Sequence, residues 1–223
     1  MLAPPNANNE NNELNFEYIK ETIKAIIEKY LADRDYISNK VDIWKESILK
    51  EIEKFLTNYN NYKFGIRIKI LNKKIKNGDK ILDSQCYKNK NYIKGIYVEF
   101  KNNKIYCIVD IFLFKKSNKN KSTDLDLNEK MKIIEKNFIN FIYGRNYEIV
   151  KSKYLEMFCK NFFDETLKNL KNGLHYCIEF SNKFYECTRG MMIVNKEESD
   201  LSEEKYFKNE DESILYVGIS KFY

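Results

Sequence analysis

The apolar positions of this chain change period and then repeat the change. Ile19, Ile23, Ile26, Ile27 and Tyr30 recur at three- and four-residue spacing, and so do Trp44, Ile48, Ile52, Phe55 and Tyr59. Each set falls on one face of an amphipathic helix. After Asn61 the pattern alternates instead. In "YKFGIRIKIL" the residues Phe64, Ile66, Ile68 and Ile70 share one side, which predicts a half-buried strand. "KNGD" at 76–79 is a turn, "ILDSQCYK" a short strand and "GIYVEF" another. Asn102 and Asn103 make a hairpin turn before a last strand, "KIYCIVDIFLF". The first half therefore reads ααββββ.

A polar stretch from Lys115 to Asp126, "KKSNKNKSTDLD", reads as a linker. Fully extended it would reach roughly 40 Å, enough to pass around a small domain. Beyond it the first pattern returns. Arg34 and Arg145, Tyr36 and Tyr147, and Lys40 and Lys151 all stand 111 positions apart. The same offset pairs Ile23 with Ile134, Ile27 with Phe138, Leu31 with Ile142, and Trp44 with Leu155. It also pairs Ile48 with Cys159, Ile52 with Phe163, and Leu56 with Leu167. Few identities survive, but the apolar phase does. Two helix pairs can be slid into register by chance, so the strands decide. "LHYCIEF", "FYECTRGMMIV", "EKYFKN" and "SILYVGISKF" follow in the same order, and "FKN" precedes the last strand of both halves, at Phe100 and Phe207. The expectation is an α+β protein of two ααββββ units. A disordered tail spans 1–14, the first unit 15–114, the linker 115–126 and a divergent second unit 127–223.

Composition narrows the classes of function. A length of 223 residues admits two domains of about 100 residues. With 43% hydrophobic and 15% aromatic residues, packed cores are affordable and wholesale disorder is excluded. No apolar run approaches the roughly 20 residues of a membrane span. The N-terminal "MLAPPNANNENNEL" has no signal-peptide core, so a cytosolic location is expected. The 5 cysteines lack a CxxC and read as small buried hydrophobes. The net charge of +6 accompanies an abundance of Lys, Asn, Ile and Tyr throughout, so it says little about partners.

Candidate chemistry is sparse. His175 is the single histidine, and with Cys177 and Cys187 it lacks the spacing of a zinc site. One histidine without a phosphate loop or an acid-rich motif leaves no nucleophile–base pair to build, so neither enzyme nor cofactor is expected. Glu197–Glu198 and Glu203–Glu204 sit in "KEESDLSEE" and read as solvated surface charge. "NKKIKNGDK" and "KKSNKNK" could touch phosphate, which makes a nucleic-acid-binding module the alternative function. They are a loop and a linker remote from the aromatic residues, so solvated loops are the expected reading.

Over Phe16–Phe114 the chain resembles the Tctex-type dynein light chains. Trp44 stands where that family's second helix carries its Trp. Ser84, Gln85, Cys86 and Tyr87 resemble its Ser-Ser-Cys-aromatic strand. Tyr106, Cys107, Ile108 and Val109, followed by Ile111 and Phe112, resemble its Tyr-Cys-Ile-Val strand. Lys88 departs from the pattern at an aromatic position and Asp110 at a small one. The second half lacks the Trp and the Tyr-Cys-Ile-Val strand, and resembles the family only through the repeat. The resemblance implies two helices packed on an antiparallel sheet, and a dimer in which each second strand completes the partner's sheet. It implies binding of an extended segment of the dynein intermediate chain, and of cargo, by strand addition.

With two copies on one chain, the dimer is expected to be internal and the chain a monomer. Covalent linkage holds one half at about mM effective concentration for the other. The exchanged strands are expected near 82–88 and 183–189. Asp83, Ser84, Gln85, Cys86, Tyr87 and Lys88, with Phe184, Tyr185, Glu186, Cys187, Thr188 and Arg189, are then the candidate partner-binding residues. A location on the microtubule cytoskeleton, in cytoplasm or axoneme, follows from the same resemblance. Trp44 and Cys107 are expected in the core, whereas Cys86 lies on the strand that meets the guest.

Overall fold

The computed structural model describes residues 14–73, 82–88, 92–116, 132, 136, 173–181, 187–196, 201–208 and 214–222. For 82–88, 173–181, 214–222 and part of 201–208 it describes the backbone alone. The paired positions from Ile134 to Leu167 lie outside these residues, as do most of the two basic runs.

Helix α1 spans Phe16–Leu31 and opens on Asn15, whose Oδ1 accepts the Tyr18 amide at 3.0 Å. This satisfies one of the orphan donors at a helix start. Helix α2 spans Val41–Leu56. Ile19, Ile23, Ile27 and Leu31 of α1 meet Trp44, Ile48, Ile52 and Leu56 of α2 in one buried cluster. Outside that seam Glu51 ties the helices together, accepting from Lys29 Nζ at 2.8 Å and from the Tyr30 hydroxyl at 2.8 Å. The Lys29 bond comes first among the causes that hold the Glu51 carboxyl below its ordinary range.

Strands β1 (Tyr62–Asn72), β2 (Leu82–Lys88), β3 (Tyr92–Lys101) and β4 (Ile105–Lys115) follow. The later strands are β5 (Gly173–Ser181), β6 (Cys187–Val194), β7 (Leu201–Lys208) and β8 (Ile214–Phe222). They form two four-stranded sheets, β3-β4-β1-β6 and β2-β5-β8-β7. All the pairings are antiparallel. Each sheet thus holds three strands from one half of the chain and one from the other.

The β3–β4 turn is built on Asn102. Its Oδ1 accepts the amides of Lys104 at 2.8 Å and Ile105 at 2.6 Å. Its Nδ2 donates to the carbonyls of Leu31 at 2.8 Å and Arg34 at 3.0 Å, which fixes the hairpin to the end of α1.

Strand β1 departs from the half-buried expectation, because both its faces are buried. Phe64, Ile66, Ile68 and Ile70 pack into the helix cluster. On the opposite face Lys63, Arg67 and Lys69 are no more than 4% exposed. The register sets Arg67 opposite Asp110 of β4, and Arg67 Nε and Nη2 donate to Asp110 Oδ2 at 2.8 and 2.5 Å. Phe112, Phe114 and Ile193, with Tyr92 against them, make a second, smaller apolar cluster.

Candidate docking edges

The two candidate strands reach opposite ends of the two sheets. Strand β2 lies at the end of its sheet and pairs only with β5 among the described strands. The register runs from Leu82 opposite Phe180 to Lys88 opposite Leu174, and it sets Asp83 opposite Glu179. All six predicted residues from Asp83 to Lys88 lie in this strand. Backbone N–H and C=O groups alternate along a strand, so half of those on β2 point away from β5.

Strand β6 ends the other sheet, against β1, with Leu71 opposite Cys187 and Phe64 opposite Val194. Of the predicted residues, Cys187, Thr188 and Arg189 belong to it, while Phe184, Tyr185 and Glu186 lie outside the described residues. It ends at Val194, where the expected strand "FYECTRGMMIV" ends, and so runs past the 183–189 stretch expected to be exchanged, because "GMMIV" continues the apolar contact with the first half. Gly190 permits that contact. A Cβ there would come within 3.1 Å of Lys45 Cδ and 3.3 Å of Leu49 Cδ1 on α2, tighter than ordinary packing.

Two polar anchors hold β6 in place. The Thr188 hydroxyl donates to Asp42 at the start of α2. That bond, with Lys45 Nζ at 3.3 Å, holds the Asp42 carboxyl below its ordinary range. At the far end Asn195 takes a left-handed backbone conformation, φ 57°. Its Nδ2 donates to the carbonyls of Tyr59 at 3.0 Å, in the loop after α2, and of Tyr62 at 2.9 Å, at the start of β1.

The outer edge of β6 meets strand β7. Glu204 accepts the Met191 amide, and the Tyr206 hydroxyl lies 3.4 Å from the Arg189 carbonyl oxygen. The reading of Glu203–Glu204 as a solvated pair is therefore corrected for Glu204. It belongs to a strand, and burial pushes its carboxyl up, against the opposing effect of the Met191 bond. Glu204, Tyr206 and Asn195 were not singled out as site residues by sequence. A strand pattern beginning at Leu201 rather than at Glu204 was the one available signal.

The remaining candidates separate. His175 and Cys177 lie in β5 and Cys187 in β6, in different sheets. Among the described residues no three His, Cys, Asp or Glu side chains group as metal ligands. Cys107 is fully buried, and that burial pushes its thiol well up, away from thiolate chemistry. Trp44 is 7% exposed, and the Arg34 guanidinium stands 5.3 Å from its ring centre. Among the described residues no helix is long and apolar enough to cross a membrane.

Residues 13–114 match the model of the Tctex-1 family. A search of characterised proteins gives no match to the chain.

Proposed function

We propose that the chain is a non-catalytic light chain of the Tctex type with its dimer built in, a reading supported by the match of residues 13–114 to the Tctex-1 family model. Its units are 15–114 and 127–223, joined by 115–126. It binds an extended segment of the dynein intermediate chain, and cargo, by strand addition at residues 83–88 and 184–189. It works on the microtubule cytoskeleton.

The observation that carries this reading is the reciprocal pairing of β2 with β5 and of β6 with β1. Each is a second strand in its own half and sits beside the first strand of the other half. This pairing supports reading the two halves as a light-chain dimer with exchanged strands, within one polypeptide. A strand edge offers main-chain hydrogen bonds to any extended guest, and alternate side chains select among guests. A short, polar strand such as "LDSQCYK" suits an edge kept available without becoming an aggregation site.

Peptides tiled along the dynein intermediate chain of the same organism test the proposal by calorimetry. Proline removes one backbone donor, so Ser84→Pro and Gln85→Pro probe opposite edges of β2. One variant should lose peptide binding with its thermal melt nearly unchanged, and the other should unfold through the β5 side. If both fold and bind as the parent does, β2 is not the docking edge.

A further inference from the structure

The outer edge of β6 meets side chains of β7. We propose that the outer edge of β6 is closed from within: Glu204 and Tyr206 occupy the positions a guest strand would take, so the chain accepts one extended peptide, on β2, until those side chains move. This rests on strand addition as the mode of binding.

Backbone groups along a strand alternate between its two edges. The Arg189 carbonyl and the Met191 amide both meet β7, so the odd-numbered residues of β6 direct their backbone groups outward, and the even-numbered ones toward β1. A guest strand would use these outward groups, two residues apart. Glu204 and Tyr206 are also two residues apart, and they run in the opposite sense, with Tyr206 at Arg189 and Glu204 at Met191. One supplies an acceptor to an amide and the other a donor to a carbonyl. They thus reproduce the hydrogen bonds of an antiparallel neighbour with side chains in place of backbone.

The helix side offers no alternative approach. Gly190 lies beneath Lys45 and Leu49, where an added Cβ would already be tighter than ordinary packing. A guest must therefore enter along the edge and displace the caps. Glu204 does not leave at no cost, since its bond to the Met191 amide is charge-assisted. Closing the edge also removes an aggregation hazard, as inward-directed charge does on other sheet edges.

Two measurements on the full chain test this. The first is amide exchange at Met191 in the free protein. Wild type should exchange at least about tenfold more slowly than a Glu204→Ala/Tyr206→Phe variant, since an amide that loses its acceptor at a strand edge meets water. Glu204→Gln, which keeps an acceptor oxygen, should retain the protection. Equal rates in wild type and the double variant overturn the closure. The second is calorimetric stoichiometry with an intermediate-chain peptide. Wild type should bind one peptide per chain, and the double variant two. Two on wild type, or one on both proteins, overturns the closure while leaving strand addition standing. The wild-type stoichiometry decides the matter even if the double variant does not fold. Absence of binding by either protein overturns the docking reading, and the Met191 exchange then decides the closure alone.

Discussion

Asp110→Ala should destabilise the first sheet without disturbing its topology. The carboxylate is 13% exposed and Arg67 5%, and the two face each other across β1 and β4. Removing one partner of a buried pair leaves the other charge uncompensated, at a cost of about 3–5 kcal/mol. Arg67 keeps further interactions, so the lower end, about 3 kcal/mol, is expected. For a chain of this length that corresponds to a melting temperature lower by roughly 6–12 °C. Urea unfolding followed by the fluorescence of Trp44, the single tryptophan, should show a lower midpoint at constant slope. The flanking pairs, Ile66 with Ile111 and Ile68 with Val109, keep the strands in register without the salt bridge. An apolar replacement of both partners, Arg67→Met with Asp110→Leu, should therefore recover most of the loss. A loss below about 1 kcal/mol for Asp110→Ala, or a double variant no more stable than the single one, would refute the assignment of this pair as a buried, mutually compensating unit.

Four further outcomes follow. Trp44→Ala should cost about 3–5 kcal/mol through lost burial and a cavity, and a variant that stays stable but loses peptide binding would contradict its core role. Asn195→Ala should cost about 1–3 kcal/mol in urea unfolding, through two lost hydrogen bonds and a strained left-handed residue, while Asn195→Gly should restore only the backbone share. Asp42 is held below its ordinary pKa of 3.8, first by the Thr188 hydroxyl and then by Lys45, so its contribution is present above that value and lost as pH falls through the lower folded value. Thr188→Val should accordingly shift the acid side of the stability curve, read by circular dichroism against pH, toward higher pH. Sedimentation at micromolar concentration should give a single species of 26.8 kDa, and a concentration-independent species of twice that mass would mean that the halves do not pair within one chain.

What could be read in the sequence was whatever a half of the chain decides by itself. The stripes from Ile19 to Leu31 and from Trp44 to Leu56 are buried in the structure, because an amphipathic helix has one way to bury such a stripe. The alternating segments became strands for a similar reason, and a turn at Asn102 was legible from the asparagine pair. That Asn102 also fastens the end of α1 was not legible, since the carbonyls it meets lie about 70 positions away in sequence. Strand pairing between halves was suggested only by resemblance, because alternation names the faces of a strand and not its neighbour.

The misread positions have a common cause. Lys63, Arg67 and Lys69 alternate with isoleucine and phenylalanine in the way that solvent-facing residues do, yet they are buried. Glu204 stands in an acidic run, yet it faces β6. A string of alternating charge reads the same whether it meets water or the other half of the molecule. Arg67 stands opposite Met191 of β6 and Lys69 opposite Arg189, so these residues lie along the join between the first half and the strand it receives. The join is polar on this face, while on the helix face Phe64 opposite Val194 and Ile66 opposite Met192 keep it apolar. Asp110, which departs from the family pattern at a small position, is explained there as well, because Arg67 across the sheet compensates its charge. A one-residue slip would turn the polar side chains of the exchanged strand onto the helix face, so the two unlike faces fix its register.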